Sequence, residues 1–229
     1  MSAANEHLIV APESVFGTFV TPTRAYPVLK ANHTVGREYI DKRYTASGRA
    51  LNNRYQGKKA PSGSIEMDLW PDYMGRFLRA AGFDVTTTTP GGATTARQHA
   101  FLLGTTMQLP SLSAQIKRSA AIATNLRGLV IDKITIKAVA GEVVSFMLDF
   151  LAKDEAPAGG TWEADGSASE AVIASPTYIG ATLVPYRFFN AALVIGGTPS
   201  ILSNVYSIAG GTTLALAESL EITLENNLD

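Results

Sequence analysis

The sequence predicts an all-β protein, a β-sandwich or barrel of antiparallel strands with one short flanking helix and a long extended loop near 37–60. Apolar and polar residues alternate with a period of two wherever the pattern is informative, which is typical of half-buried strands. Only one segment has the i, i+3, i+4, i+7 spacing of a helix. The loops do not separate blocks of different hydrophobic pattern, so the 229 residues are predicted to form a single domain, 1–229.

The clearest strands form a predicted hairpin. In "EVVSFMLDFL" (142–151) alternate residues from Val144 to Phe150 are apolar, and "DKITIKAV" (132–139) alternates in the same way. The Gly-containing loop between them suits an antiparallel connection. "SIEMDL" (64–69) and "SLEITLEN" (219–226) are predicted as further half-exposed strands, because their polar positions are acidic or Thr.

The helix is predicted near 72–81, in "PDYMGRFLRAAG". Its apolar stripe should lie on a sheet and serve core packing. Asp72 is the expected cap at its start and Gly82 at its end. The stripe consists of Met74, Phe77, Leu78 and Ala81.

Two segments, 86–97 and 154–170, are predicted to be surface loops. Both are rich in Thr, Ser, Gly, Pro or Ala. Such compositions contain too little apolar area to fold alone.

Charge is distributed unevenly along a chain whose net charge is −1. Residues 1–60 contain nine Lys or Arg and four Asp or Glu, whereas residues 140–229 contain two and eleven. Opposite signs at the two ends suit contacts between copies of the chain, although the same pattern also arises from solvated faces of a single domain.

The sequence predicts no catalytic, cofactor or metal site, and therefore no enzyme. It contains no Cys, and no nucleophile elbow, phosphate loop, zinc-protease or dinucleotide motif occurs. The three His are scattered singly, without the spacing of metal ligands. The acid pair Asp154-Glu155 is expected to be solvated in its loop.

The stretch 37–59 contains seven Lys or Arg, two acids and three Tyr. Its bases could neutralise phosphates while its tyrosines stack on bases, but the pI near 6.3 argues against a nucleic-acid binder. The alternative is an arm that is ordered against another subunit, because the segment has few apolar groups to offset its ordering entropy. The predicted contact residues are Arg37, Tyr39, Lys42, Arg43, Tyr44, Arg49, Arg54, Tyr55, Lys58 and Lys59.

Five stretches of the chain carry short motifs that together span nearly its whole length. They are "ESVFGTFVTPTRAYPV" (13–28), "GSIEMDLWPDYMGRFLRAAG" (63–82), "LPSLSAQIKR" (109–118), "RGLVIDKITIKAVAGEVVSFMLDFLAKDEA" (127–156) and "SLEITLENNL" (219–228). In this order they resemble the tail tube (major tail) protein of long-tailed bacteriophages.

The resemblance implies a β-sandwich or barrel subunit that closes hexameric rings, which stack into the hollow tube through which DNA leaves the capsid. The loop 37–60 would reach neighbouring subunits, and residues 1–25 would form an arm and first strand. Implied partners are further copies of the chain and tape-measure, tail-terminator and tip proteins. DNA would pass through the lumen without specific binding, and no membrane is implied. The protein would belong to the virion tail and assemble in the host cytoplasm.

The resemblance also has a departure, because many relatives continue beyond the N-N-L motif whereas this sequence ends at Asp229. C-terminal strands could therefore be missing. Two other functions stay open: a capsid decoration protein or other β-sandwich binding module that presents the loops 86–97 and 154–170, and a nucleic-acid binder that uses 37–59.

Overall fold

The computed structural model describes residues 6–43, 52–70, 74–89, 97–105, 108–178, 184–187, 193–202, 205–214 and 218–228. These contain one helix, α1 (Met74–Ala80). The strands of the first half are β1 (His7–Pro12), β2 (Arg24–Pro27), β3 (Lys30–Arg43), β4 (Asn52–Asp68), β5 (Phe83–Thr88), β6 (Gln98–Leu103) and β7 (Leu112–Lys117). Those of the second half are β8 (Ala123–Val139), β9 (Ser145–Leu151), β10 (Asp154–Pro157), β11 (Thr177–Tyr178), β12 (Leu193–Ile195), β13 (Thr198–Leu202), β14 (Val205–Ala209), β15 (Thr212–Leu214) and β16 (Ser219–Glu225).

Ten strands form one sheet in the order β11-β2-β1-β7-β8-β9-β4-β3, with β10 and β16 also paired to β8. The pairings are antiparallel except for the short parallel contact of β11 with β2. The predicted all-β fold with one short helix is confirmed. The predicted hairpin is confirmed as β8 and β9, in a register that places Ile136 opposite Phe146.

The long strand β8 bends the sheet into two layers. Its first half pairs with β7 and β10, and its second half pairs with β9 and β16. Between the halves, Gly128 has a left-handed φ of +62° and the register with β9 shifts between Ile131 and Lys133. A bulge of this kind lets a strand pass from one sheet layer to another, so the apolar faces of the two halves enclose a common core.

The core is formed by both layers and by α1. Phe77 of the helix is 1% exposed, and its ring lies 5.2 Å from that of Tyr26 and 5.9 Å from that of Phe146, measured between centroids. The predicted helical stripe packs on this core as expected. Helix α1 ends before Gly82, whose φ of +95° suits glycine, while Asp72 lies outside the described residues.

Two of the short motifs have structural roles. The carboxylate of Glu13 accepts hydrogen bonds from the backbone N–H groups of Gly17 and Gly128, both 2.8 Å away, and from the hydroxyls of Ser111 and Ser113. It thereby ties the loop after β1 to the bend of β8.

The C-terminal N-N-L motif fastens β16 to the helix. The side-chain amide of Asn226 donates to the backbone oxygens of Ile131 (2.8 Å) and Ala81 (3.3 Å). Asn227 follows in the left-handed region with φ 49°. The motif therefore joins the last strand, the bulge of β8 and the end of α1.

Both loop predictions need correction. Part of 86–97 belongs to β5, which pairs with β6, and 90–96 lie outside the described residues. In 154–170, β10 pairs with β8, and Asp154 and Trp162 are buried at 3% and 2% exposure. The prediction for 154–170 was wrong because it rested on the many small and polar residues of the segment. One large aromatic residue, Trp162, packs into the domain and holds the segment there.

Candidate functional site

The β3–β4 hairpin extends beyond the sheet. Strand β4 pairs with β9 only from Ser62 onward, whereas it pairs with β3 over nearly its whole length. Among the described residues, the only strand segment that pairs with Arg37–Arg43 is therefore 52–59. At about 3.3 Å per residue this two-stranded ribbon is roughly 20 Å long.

This geometry corrects the predicted loop at 37–60, whose described part consists of paired strands. These strands show no apolar alternation in the sequence, because neither face of the ribbon packs on the core. Pairing satisfies the backbone polar groups within the subunit. A lone two-stranded hairpin is only marginally stable in water, so its anchorage at the base is important.

The outer part of the ribbon presents aromatic and aliphatic side chains to solvent. Tyr39, Ile40 and Tyr55 are 52%, 48% and 45% exposed. The Arg54 guanidinium lies 4.7 Å from the Tyr39 ring centroid, and its Nε is 2.9 Å from Asp41 Oδ1. The hydrogen bond with Asp41 raises the pKa of Arg54. This end of the hairpin is a surface suited to contact with a partner.

The base of the ribbon is fixed by ion pairs and a hydrogen bond to β10 and to the segment that follows it. Arg37 Nη1 and Nη2 donate to the two carboxylate oxygens of Glu163 at 2.6 and 2.5 Å. Lys59 Nζ donates to the backbone oxygen of Glu155 at 2.8 Å and lies 3.3 Å from Asp154 Oδ1 and 3.4 Å from Glu163 Oε2. The hydrogen bond from Arg37 lowers the pKa of Glu163.

Beneath these pairs lies a buried arginine. Arg127 Nη2 donates to Asp154 Oδ2 at 3.1 Å, and Nη1 donates to Asp165 Oδ2 at 2.9 Å. Its guanidinium lies 4.4 Å from the Trp162 ring centroid. The hydroxyl and backbone N–H of Ser167, followed by Arg127, lower the pKa of Asp165 to about 2. We refer to Arg37, Lys59, Arg127, Asp154 and Glu163 as the anchor cluster.

The ten predicted contact residues therefore divide into groups. Arg37 and Lys59 face carboxylates of their own chain, and Arg54 pairs within the hairpin. Contact of these three residues with a neighbouring subunit stays a prediction. Lys42 and Lys58 are exposed, as are Tyr39 and Tyr55. Arg43 ends β3, while Tyr44 and Arg49 lie outside the described residues.

Sequence reasoning missed the acidic side of the anchor cluster. Asp154, expected to be solvated, is buried between Arg127 and Lys59. The available signal was the sequence "WEAD" at 162–165, where a tryptophan stands among acids in an otherwise small-residue segment. A large aromatic in such a segment indicates a buried anchor.

A second charged surface covers the outer face of the sheet. The pairing registers align Asp149 with Lys133 and Glu225, and Lys137 with Glu221. Burial raises the pKa of Asp68, with a further contribution from Glu66, and burial raises the pKa of Asp149. The charged residues that this register places on the face are Glu66, Asp68, Asp149, Glu221 and Glu225, with Lys30, Lys133 and Lys137.

The described ranges contain neither a metal-binding cluster nor a membrane-spanning helix. No group of three or more His, Asp or Glu in this part of the chain is arranged to hold a metal ion. None of its helices is long and apolar enough to cross a membrane.

Two solved structures share features of this fold, both determined by cryo-EM. One is the tube-terminating cap of the anti-feeding prophage, with 12% identity and a TM-score of 0.38. The other is the PVC sheath-tube complex of an extracellular contractile injection system in the extended state, with 7% identity and a TM-score of 0.39. Each alignment covers 66% of this chain and 86% of the other. At these scores, neither likeness bears on function.

No curated protein gives a significant match. The sequence profile of the phage tail tube protein family matches residues 3–229, nearly the whole chain. This match confirms the resemblance drawn from the motifs and indicates a structural protein of the virion tail. The chain belongs to the phage tail tube protein family.

Proposed function

We propose that this subunit polymerises as stacked hexameric rings into the tail tube, the channel through which DNA leaves the capsid. The observation that carries the proposal is the β3–β4 hairpin, in a chain of the tail tube family. Its base is fixed to its own domain, while Tyr39, Ile40 and Tyr55 are exposed on its outer part. A rigidly anchored arm with an exposed aromatic end can bind the next subunit with little further loss of entropy.

The distribution of charge supports an assembly that repeats. A ring requires two different patches that complement each other, and stacking requires a second such contact that does not close. Lys42 and Lys58 on the hairpin supply exposed positive charge, and the acids of the last 90 residues supply negative charge. Their attraction would orient incoming subunits.

The outer face formed by β4, β9, β8 and β16, together with the start of β3, is our candidate for the channel wall. Five carboxylates and three lysines lie on it. The excess of negative charge would repel DNA phosphates, so DNA would pass without being held.

In this proposal the subunit has no catalytic role and assembles in the host cytoplasm. It contacts tape-measure, tail-terminator and tip proteins along the tube and at its ends.

Electron microscopy of the concentrated protein tests the proposal directly. We expect hollow tubes, and end-on averages should give the number of subunits per ring. A protein that stays monomeric at every concentration, even with tube fragments added as seeds, would refute self-assembly.

A variant tests the hairpin separately. Replacing residues 38–58 by Asn-Gly, which favours a tight hairpin turn, keeps Arg37 directly opposite Lys59 as in the native register. We expect a folded monomer that no longer polymerises. Tube formation at the wild-type concentration would show that the outer hairpin is not an assembly contact.

A further inference from the structure

A second ribbon lies between β11 and β16. Strand β12 pairs with β15, and β13 pairs with β14, so that 193–202 and 205–214 are the two arms of one long hairpin, called here the 193–214 ribbon. The stretch 188–217 contains no Asp, Glu, Lys, Arg or His. This ribbon was not predicted, and it has no role in the sites above.

Glycine pairs divide the ribbon into two halves. Gly196, Gly197 and Gly210 have φ between +73° and +85°. A Cβ on Gly197 would lie 2.6 Å from the backbone nitrogen of Gly211, and a Cβ on Gly211 would lie 2.4 Å from Val194. The backbones therefore approach closely at a point that only glycine accommodates, which fixes the angle between the halves.

The edges of the 193–214 ribbon lack the features that usually prevent strand pairing with another chain. Within the part of the chain that the structure describes, its strands pair only with one another, so both of its edges are open. Proteins usually blunt such edges with charged side chains, which this stretch lacks, and Pro199 is its single proline. Ile195 is 58% exposed.

A second uncharged surface with open strand edges lies on the same chain. Strands β5 and β6 form another two-stranded ribbon whose edges are open among the described residues. On it, Leu102 and Leu103 are 67% and 79% exposed. Between Asp84 and Lys117 the only formal charge is that of Arg97.

We propose that the 193–214 ribbon of one subunit binds the β5–β6 ribbon of a second copy. A single subunit carries both halves of the contact, and in the described residues neither half is covered by the other. Two different patches that complement each other generate a repeating contact when copies assemble. The inference rests on the proposed self-assembly and adds an uncharged contact to the charged β3–β4 hairpin.

Cross-linking tests which surfaces meet. Because the chain contains no Cys, the double variant I195C/L103C reports on one pair of positions. With a flexible bismaleimide we expect covalent dimers and longer ladders from assembled tubes, and none from dilute monomer. The single variants should give no ladder. Tubes of the double variant that yield no inter-subunit product would overturn the proposed contact.

Assembly measurements distinguish this inference from the proposed function. We expect I195D to raise the concentration needed for tube formation about tenfold or more, because a charge replaces an apolar contact. L103D should act similarly, whereas the uncharged, β-branched I195T should assemble nearly as wild type. Wild-type tubes with unchanged I195D assembly would overturn only this inference. Failure of the wild type to assemble would overturn the proposed function and this contact with it.

Discussion

Arg37 and Glu163, which are 126 residues apart in the sequence, form a bidentate ion pair with N···O distances of 2.6 and 2.5 Å. The pair joins the base of the β3–β4 hairpin to the segment after β10. Since a guanidinium and a carboxylate match in this planar arrangement, the contact fixes direction as well as distance. The hairpin is thus held at its base by the domain it extends from.

Removing the Glu163 charge should loosen the hairpin without unfolding the domain. In E163Q the bidentate pair with Arg37 is lost, while Lys59 keeps its bond to the Glu155 backbone oxygen. We expect faster amide hydrogen exchange in 54–59 and an unchanged thermal midpoint, because the pair is partly exposed. Hydrogen exchange of the monomer measures this.

The matched control is E221Q, on the outer face of the sheet and away from the hairpin. It should leave exchange in 54–59 unchanged. If E163Q exchanges at the wild-type rate throughout the hairpin, the ion pair does not hold the base.

Asp154 is expected to be the most sensitive carboxylate of the anchor cluster. Its side chain is 4% exposed and lies between Arg127 and Lys59. D154A leaves Arg127 buried beside a vacant position, so the free energy of unfolding should fall by about 3 kcal/mol. Urea denaturation measures the change.

D165A serves as the control, because Asp165 contacts the same arginine from a half-exposed position. It should destabilise the fold far less. Equal losses for the two variants would contradict the importance assigned to burial.

Sequence reasoning succeeded where one face of an element packs on the core. The alternation in β8, β9 and β16 and the stripe of α1 each follow from that burial, and the motifs identified the family. It failed for the outer β3–β4 hairpin and for 193–214. Among the described residues, the outer β3–β4 hairpin and the 193–214 ribbon contribute no side chain to the core cluster. Without burial of one face there is no hydrophobic period to mark the strands in the sequence.

The candidate site was only partly predictable for a related reason. The bases of 37–59 were visible in composition, but the partners of Arg37 and Lys59 lie in 154–163, about a hundred residues away along the chain. Composition cannot show which acid meets which base. Contact of the hairpin with neighbouring subunits stays a prediction, and its exposed residues are the expected contacts.

Acid should weaken the segment around the anchor cluster. The pKa of Asp165 is lowered from 3.8 to about 2, and that of Glu163 is lowered from 4.5. A carboxyl group whose pKa is lowered in the folded state stabilises the fold at pH values above its unfolded-state pKa. That stabilisation is lost as the pH falls through its folded-state pKa. For Asp165 the loss should occur between pH 3.8 and about 2.

Denaturant titrations of wild type and D165N at several pH values test this. The wild type should be more stable above pH 4, and the difference should shrink toward pH 2. A difference that is independent of pH would show that the Asp165 charge does not contribute.

Neutralising the outer acidic face should stabilise the monomer. Burial and the neighbouring Glu66 raise the pKa of Asp68, so its ionised form is disfavoured in the folded state at neutral pH. D68N removes that cost, and we expect a higher thermal midpoint at pH 7. The advantage should shrink as the pH falls and Asp68 in the wild type becomes protonated. A lower midpoint at pH 7 would indicate that the carboxylate has a stabilising partner.

Asn226 should be required for stability because it joins three elements. Its amide donates to backbone oxygens of Ile131 and Ala81, and N226A would leave both acceptors without that donor. Each lost hydrogen bond to a buried acceptor costs about 1 kcal/mol, so we expect a loss of roughly 2 kcal/mol in urea denaturation. Asn227 is the matched control: it has φ 49°, which glycine adopts without strain, so N227G should change stability little. If N226A and N227G are equally stable, the motif contributes through its backbone alone, and the amide does not fasten β16 to the helix.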